Sequence, residues 1–190
     1  MSPKAKEIEL SAIEVKKRYG FGPYEAVDPF DLAARMGVTL VASSWLDSLP
    51  DELRQTLGDI AGSWSAGSLA VGEATFILIN QQTSRTRQMP SLGEELAHIA
   101  LGHPKSKLMT IDGMALRTCN HQVEDEAYAV STALLMPYRP LFNHLNASQP
   151  LEELPTPVPV SQACREYRAK KAGLWRLHMA RARTRSQAAD

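Results

Sequence analysis

The order of its segments predicts an α+β fold for this chain, with a small antiparallel sheet packed with helices and a helical C-terminal part. Three observations lead there. Three apolar runs, Ile60 to Trp64, Leu69 to Val71 and Phe76 to Ile79, are punctuated by Gly62, Gly67 and Gly72, the texture of short strands in an antiparallel meander. Two strongly periodic helical stretches come after these runs rather than between them. No strand–helix–strand alternation recurs, which argues against a doubly wound sheet.

Each element has its own local cause. Ile8, Ile13 and Val15 lie among charges in a first helix over residues 8–19, stopped by Gly20 and Gly22. Asp28 caps a short helix with Pro29 in its first position, and Gly37 stops it. Residues 38–42, VTLVA, are β-branched enough to be a strand, and Pro50-Asp51-Glu52 predicts another short helix. A helix over 91–101 stops at Gly102, a loop follows, and a second long helix over 123–136 ends at Pro137. Residues 151–159 are acidic and broken by prolines, the composition of a linker. Ser161 then caps a last helix over 162–171, with a basic tail beyond it. The expected division is one domain over 1–150, then linker, closing helix and tail over 151–190. There are no internal repeats.

Composition sets the class. The chain of 190 residues, 44% apolar and 22% charged, has the profile of a soluble globular protein with one core of ordinary size. Lys plus Arg equals Asp plus Glu, 21 against 21, so no global field favours nucleic acid or a membrane surface. The basic cluster from Arg165 to Arg185 reads first as a solvated helix face and tail. Its alternative is a weak contact for nucleic acid or an acidic partner. Cys119 and Cys164 stand alone without CxxC spacing, which fits a reducing compartment, and neither has the setting of a nucleophile. The N-terminus carries charges where a signal peptide needs an apolar run, and no segment is apolar for long enough to span a bilayer. The expected location is the cytoplasm.

Two segments hold residues fit for chemistry. In residues 87–103, RQMPSLGEELAHIALGH, a helix places Glu94 and His98 one turn apart on one face, while Leu92, Leu96 and Ile99 face the core. Glu95 falls between these faces. The spacing is that of HExxH zinc helices, in which i and i+4 bind a metal and the intervening Glu handles protons. Alone, an EExxH stretch is a weak signal, because most Glu–His pairs at this spacing are surface contacts worth a few tenths of a kcal/mol. In residues 123–137, VEDEAYAVSTALLMP, the apolar stripe is Val123, Ala127, Val130 and Leu134. Glu126 lies beside that stripe, whereas Glu124 and Asp125 reach solvent more easily. A carboxylate turned toward a core needs a cation, a hydrogen bond or an ion pair, and Arg87 or His98 could supply the last.

Together these segments resemble the ImmA/IrrE family of metallopeptidases. Arg87, Leu92, Glu95, Leu96, His98 and Leu101-Gly102-His103 match one family stretch, R-x-R-F-T-L-A-H-E-L-G-H with its trailing L-G-H. Glu126-Ala127 and Leu134-Leu135-Met136-Pro137 match E-A-x-x-F-A-x-x-L-L-M-P, with Val130 and Ser131 in place of Phe-Ala. Asp28-Pro29, Leu32-Ala33, Gly37-Val38, Val160-Ser161 and Arg168 fit as well, with Cys164 at an alanine position, so the likeness spans residues 8–170. It implies metallopeptidase-like helices and metal ligands Glu94, His98 and Glu126, with Glu95 as general base. It also implies a protein substrate or partner, with a helix-turn-helix transcriptional repressor as the family's pattern; apart from the resemblance, the balanced charge makes nucleic acid the least favoured partner, and no membrane partner is expected.

This chain departs from the family at Glu94, where the pattern has His, and at Met89-Pro90, where it has Arg-Phe. Two carboxylates and one imidazole make a harder, more anionic site than two imidazoles and one carboxylate, which brings manganese in beside zinc and makes a bound water less acidic. Three outcomes stay open at this level: a metal-dependent peptidase, a structural metal site, or a silent relative without metal that grips a protein partner. His103 and His121 are candidate substitute ligands, though each residue type at such a place is more often a surface or capping histidine.

Overall fold

The computed structural model describes residues 1–42, 44, 65–71, 74–104, 108–111, 114–117 and 120–189. It is an α+β structure. Helix α1 (Pro3–Arg18) starts where the Ser2 side chain accepts from the Ala5 amide and Pro3 takes a position that needs no donor. Helix α2 (Pro29–Met36) starts at Asp28, whose carboxylate accepts from the Phe30 amide at 2.8 Å, and stops at Gly37 with φ 69°, a left-handed turn that glycine adopts without strain.

Strands β1 (Thr39–Ala42), β2 (Ala66–Val71) and β3 (Ala74–Ile79) form one sheet in the order β1-β3-β2. The β2–β3 hairpin is antiparallel, as expected, pairing Leu69 with Phe76. Strand β1 instead runs parallel to β3, pairing Thr39 with Phe76, so the sheet is mixed rather than wholly antiparallel. Strand propensity marks a strand and leaves its direction to the connections. The expected helix at Pro50 and the expected strand at residues 60–64 lie outside the described residues.

Helix α3 (Arg85–Leu101) begins six residues before the start that the sequence suggests and runs through Pro90. Proline removes one intrahelical donor there, and Gln88 holds the early turns in compensation: its Nε2 donates to the carbonyls of Asn80 at 3.0 Å and Thr83 at 2.6 Å. Strands β4 (Leu108–Ile111) and β5 (Met114–Arg117) pair as a separate antiparallel hairpin in a segment that reads as loop. Helix α4 (His121–Leu135) follows, capped by the Asn120 side chain, and then α5 (Tyr138–Asn146), a 3₁₀ turn (Leu151–Glu153), α6 (Gln162–Lys171) and α7 (Trp175–Ala189). Ser161 caps α6 as expected, accepting from the Cys164 amide at 3.2 Å. The basic tail continues as α7. No helix among the described residues is long and apolar enough to cross a membrane.

Two apolar clusters sit inside. The first joins α1, α2 and β3 to α3 and α4, through residues such as Ile8, Leu32, Ile77, Leu96 and Val130. The second gathers Met89, Leu135 and Leu141 with Leu151, Leu154, Val158 and Val160, so the proline-rich stretch is packed down at intervals of two to four residues. Between these clusters runs a buried ion pair. Arg168, fully buried, donates from Nη2 to Glu9 Oε1 and from Nε to the Met136 carbonyl at 2.8 Å, and Glu9 Oε2 accepts from the Tyr138 amide at 3.3 Å. This network ties α1, α5 and α6 together.

Helices α3 and α4 meet at two small residues. A Cβ on Gly93 would stand 2.5 Å from Ser131 Oγ, and that hydroxyl donates to the Pro90 carbonyl at 3.0 Å. The close approach settles which face of α4 looks at α3.

Candidate metal centre

Glu94, Glu95 and His98 stand on the second half of α3. At its end Gly102, with φ 69°, turns the chain back, and the His103 amide donates to the His98 carbonyl at 3.0 Å. His103 is thereby folded against His98: the two Nδ1 atoms are 3.0 Å apart and the rings meet edge to face. Burial, and then the neighbouring His98, holds the His103 imidazole below its ordinary range.

Helix α4 offers three consecutive acids about 100° apart around its axis, and each finds a different partner. Glu124 places Oε2 3.3 Å from His98 Nε2. Asp125 accepts from Lys171 Nζ at 2.6 and 2.7 Å and from the Tyr167 hydroxyl at 3.1 Å, and these contacts hold its carboxyl below the usual carboxylate range. Glu126 Oε2 lies 3.6 Å from His103 Nε2. The residues whose ligand atoms converge, all within 4.8 Å of one another, are Glu94, His98 and Glu124.

Glu126 therefore stands outside the group for which the sequence reading proposed it. Its side chain is 53% exposed, against 25% for Glu124, the reverse of what the apolar stripe suggested. The stripe through Val123, Ala127, Val130 and Leu134 is a poor guide because nearly every residue from Ala127 to Leu135 is buried, whichever way it points. The informative residue is Ser131, which touches α3 at Pro90 and Gly93. Glu124 precedes it by two helical turns and so shares its face. Small residues at 93 and 131 were the sequence signal for the acid that faces His98. Arg87, a candidate partner for Glu126, is exposed near the start of α3, and His121 is exposed at the start of α4.

His98 Nε2 is buried and has no hydrogen-bond partner; its approach to Glu124 Oε2 is close but lacks hydrogen-bond geometry. An aromatic nitrogen in that position, with two carboxylates within 4.8 Å, fits a divalent cation that takes one nitrogen and two oxygen donors. Glu95, next on the helix, is buried (6% exposed) with no ionic or hydrogen-bond partner among the described residues. An ionisable group kept in such a place is unusual unless it handles protons or meets a ligand. A cavity of about 410 Å³ lies along the first half of α3, lined by Ser84, Thr86, Arg87, Pro90, Ser91, Tyr128 and Ser161, none of them a member of the group. Ser91 and Tyr128 are each one helical turn from Glu94 and Glu124 respectively.

No curated protein and no solved structure matches the chain. A family model does: Peptidase_M78, the IrrE N-terminal-like domain, matches residues 54–170, from ahead of β2 to the penultimate residue of α6 and including every residue of the site. Since that match covers more than half of its residues, the chain belongs to the Peptidase_M78 family of IrrE N-terminal-like domains, which are usually metal-dependent.

Proposed function

We propose that this protein is a metal-dependent endopeptidase that cuts a regulatory protein, a transcriptional repressor by the family's pattern. Glu94, His98 and Glu124 hold the cation, zinc or manganese, and Glu95 is the general base. The observation that carries the reading is the buried, unpartnered His98 Nε2 with the carboxylates of Glu94 and Glu124 within 4.8 Å of its ligand atoms. When bound, the cation lowers the pKa of a water and polarises the scissile carbonyl. Glu95 takes the proton of the attacking water and returns it to the departing amine. The cavity along α3 would take the substrate chain, with its hydroxyls and Arg87 pairing backbone and side-chain groups of an extended segment.

A second reading rests on Glu94. A carboxylate in place of an imidazole makes the bound water less acidic, and a site weakened in this way suits a silent binding module. Metal analysis of the purified protein, alone and as Glu94→His, separates the two. Stoichiometric metal in the native chain, with peptide cleavage that falls by at least about a hundredfold in Glu95→Gln, supports the enzyme. Metal in the variant alone supports the module.

A further inference from the structure

We propose that helix α7 is a docking surface for the phosphodiester backbone of a nucleic acid. The surface is independent of the metal site and lies outside the family match, which ends at residue 170. The balanced charge of the whole chain conceals a local imbalance. Residues 162–189 hold eight of the 21 Lys and Arg residues but, of the 21 Asp and Glu, only Glu166. A field of one sign over one part of a surface attracts polyanions whatever the net charge.

Helix α7 itself carries four arginines and no acid: Arg176, Arg181, Arg183 and Arg185. Several basic side chains elsewhere are met by carboxylates, as Arg18 is by Glu14 at 3.6 Å, Arg168 by Glu9 and Lys171 by Asp125 at 2.6 Å. None of the four on α7 forms an ion pair among the described residues. Arg181 Nη2 donates to Asn146 Oδ1 at 3.1 Å and Arg185 Nη1 to the Ser148 carbonyl at 3.0 Å. These neutral acceptors hold α7 against the end of α5 and leave both charges uncancelled. The opposite face is exposed and presents Arg176 and Arg183, two helical turns or about 10 Å apart, with Thr184 and Gln187 beside them.

Two features favour phosphate over a protein partner. All four cations are arginines, whose fork of donors takes two phosphate oxygens at once and is more weakly hydrated than an ammonium. The exposed face offers only Met179, 39% exposed, as a large apolar group, too little for the apolar centre of a protein interface. A nucleic-acid duplex instead supplies about one charge per 1.7 Å of its axis, which arginines alone can use.

The test is fluorescence anisotropy of a short labelled DNA duplex titrated with the full chain. With about three to four phosphates engaged, affinity should fall roughly 40- to 150-fold between 50 and 200 mM salt. Arg176→Gln with Arg183→Gln should lower the slope of log affinity against log salt by about two. Arg176→Lys with Arg183→Lys should retain the slope. Lys6→Gln with Lys17→Gln, an equal loss of charge on α1, should leave binding unchanged. All four side chains are exposed, so melting temperatures should match the wild type. A single-stranded RNA that binds more tightly than the duplex names RNA as the source of the phosphates, and the reverse order names DNA. No binding at the lower salt, a slope unchanged in the glutamine variant, or equal affinity for polyglutamate would overturn the proposal, the last in favour of an acidic protein.

Discussion

Two acid–base clusters in this protein are assembled from distant helices and built to different ends. Glu9 and Arg168 form a closed pair, one anion to one cation, with Arg168 fully buried and its Nε and Glu9 Oε2 bonded to the backbone. Only Arg168 Nη1 lacks a partner there. Glu94, His98 and Glu124 form an open group, two carboxylates and one imidazole, partly exposed, with an unpartnered nitrogen within it. A neutralised, desolvated pair clamps a fold together and has no room for a ligand. Two carboxylates beside an imidazole nitrogen that makes no hydrogen bond are the donor types from which a divalent-cation site can be built.

The largest expected effect sharpens the closed side of this contrast. Arg168→Ala leaves the Glu9 carboxylate buried without its cation and should cost about 3–5 kcal/mol in urea unfolding, with or without metal. Glu9→Leu combined with Arg168→Met should recover most of the loss, because two apolar side chains need no pairing. On the open side, zinc or manganese at a hundred times its dissociation constant should stabilise the wild type by about 2.7 kcal/mol, read as a rise in melting temperature. His98→Ala should abolish that rise. If Arg168→Ala abolished it too, the two clusters would not be independent.

Smaller effects probe what surrounds each cluster. Gly93→Ala puts a methyl 2.5 Å from Ser131 Oγ beside the site, and should destabilise by about 1–3 kcal/mol despite alanine's better helix propensity. Adding Ser131→Ala should relieve much of that strain. Lys16, buried beside the closed pair, has its pKa lowered from 10.5 to about 8, chiefly by desolvation, with Glu9 opposing and Arg168 assisting. The unfolded chain therefore binds more protons than the folded one between these values, and stability should rise with pH across that window. The slope is at most about 1.4 kcal/mol per pH unit, and Lys16→Met should flatten it.

Much of this architecture can be read locally. Asp28 with Pro29, Gly37, Gly102 and Ser161 mark helix ends through caps and left-handed turns that depend on a few neighbouring residues, and each stands where the sequence puts it. The hairpin of β2 and β3 follows from short apolar runs with glycine between. What local reading misses depends on contacts from afar. The parallel seating of β1, the extension of α3 back through Pro90 under the hold of Gln88, and the packing of residues 151–160 into the second core are all of this kind.

The sequence by itself determined that Glu94 and His98 share a helix face, since i and i+4 coincide on any α-helix, and that the next long helix begins with a run of acids. Only the tertiary structure decided which acid joins them. Glu124, Asp125 and Glu126 point in three directions about 100° apart, and nothing in their own neighbourhood ranks them. The contact of Gly93 with Ser131 sets the rotation of α4 against α3. That rotation sends Glu124 to His98, Asp125 to Lys171 and Glu126 to His103.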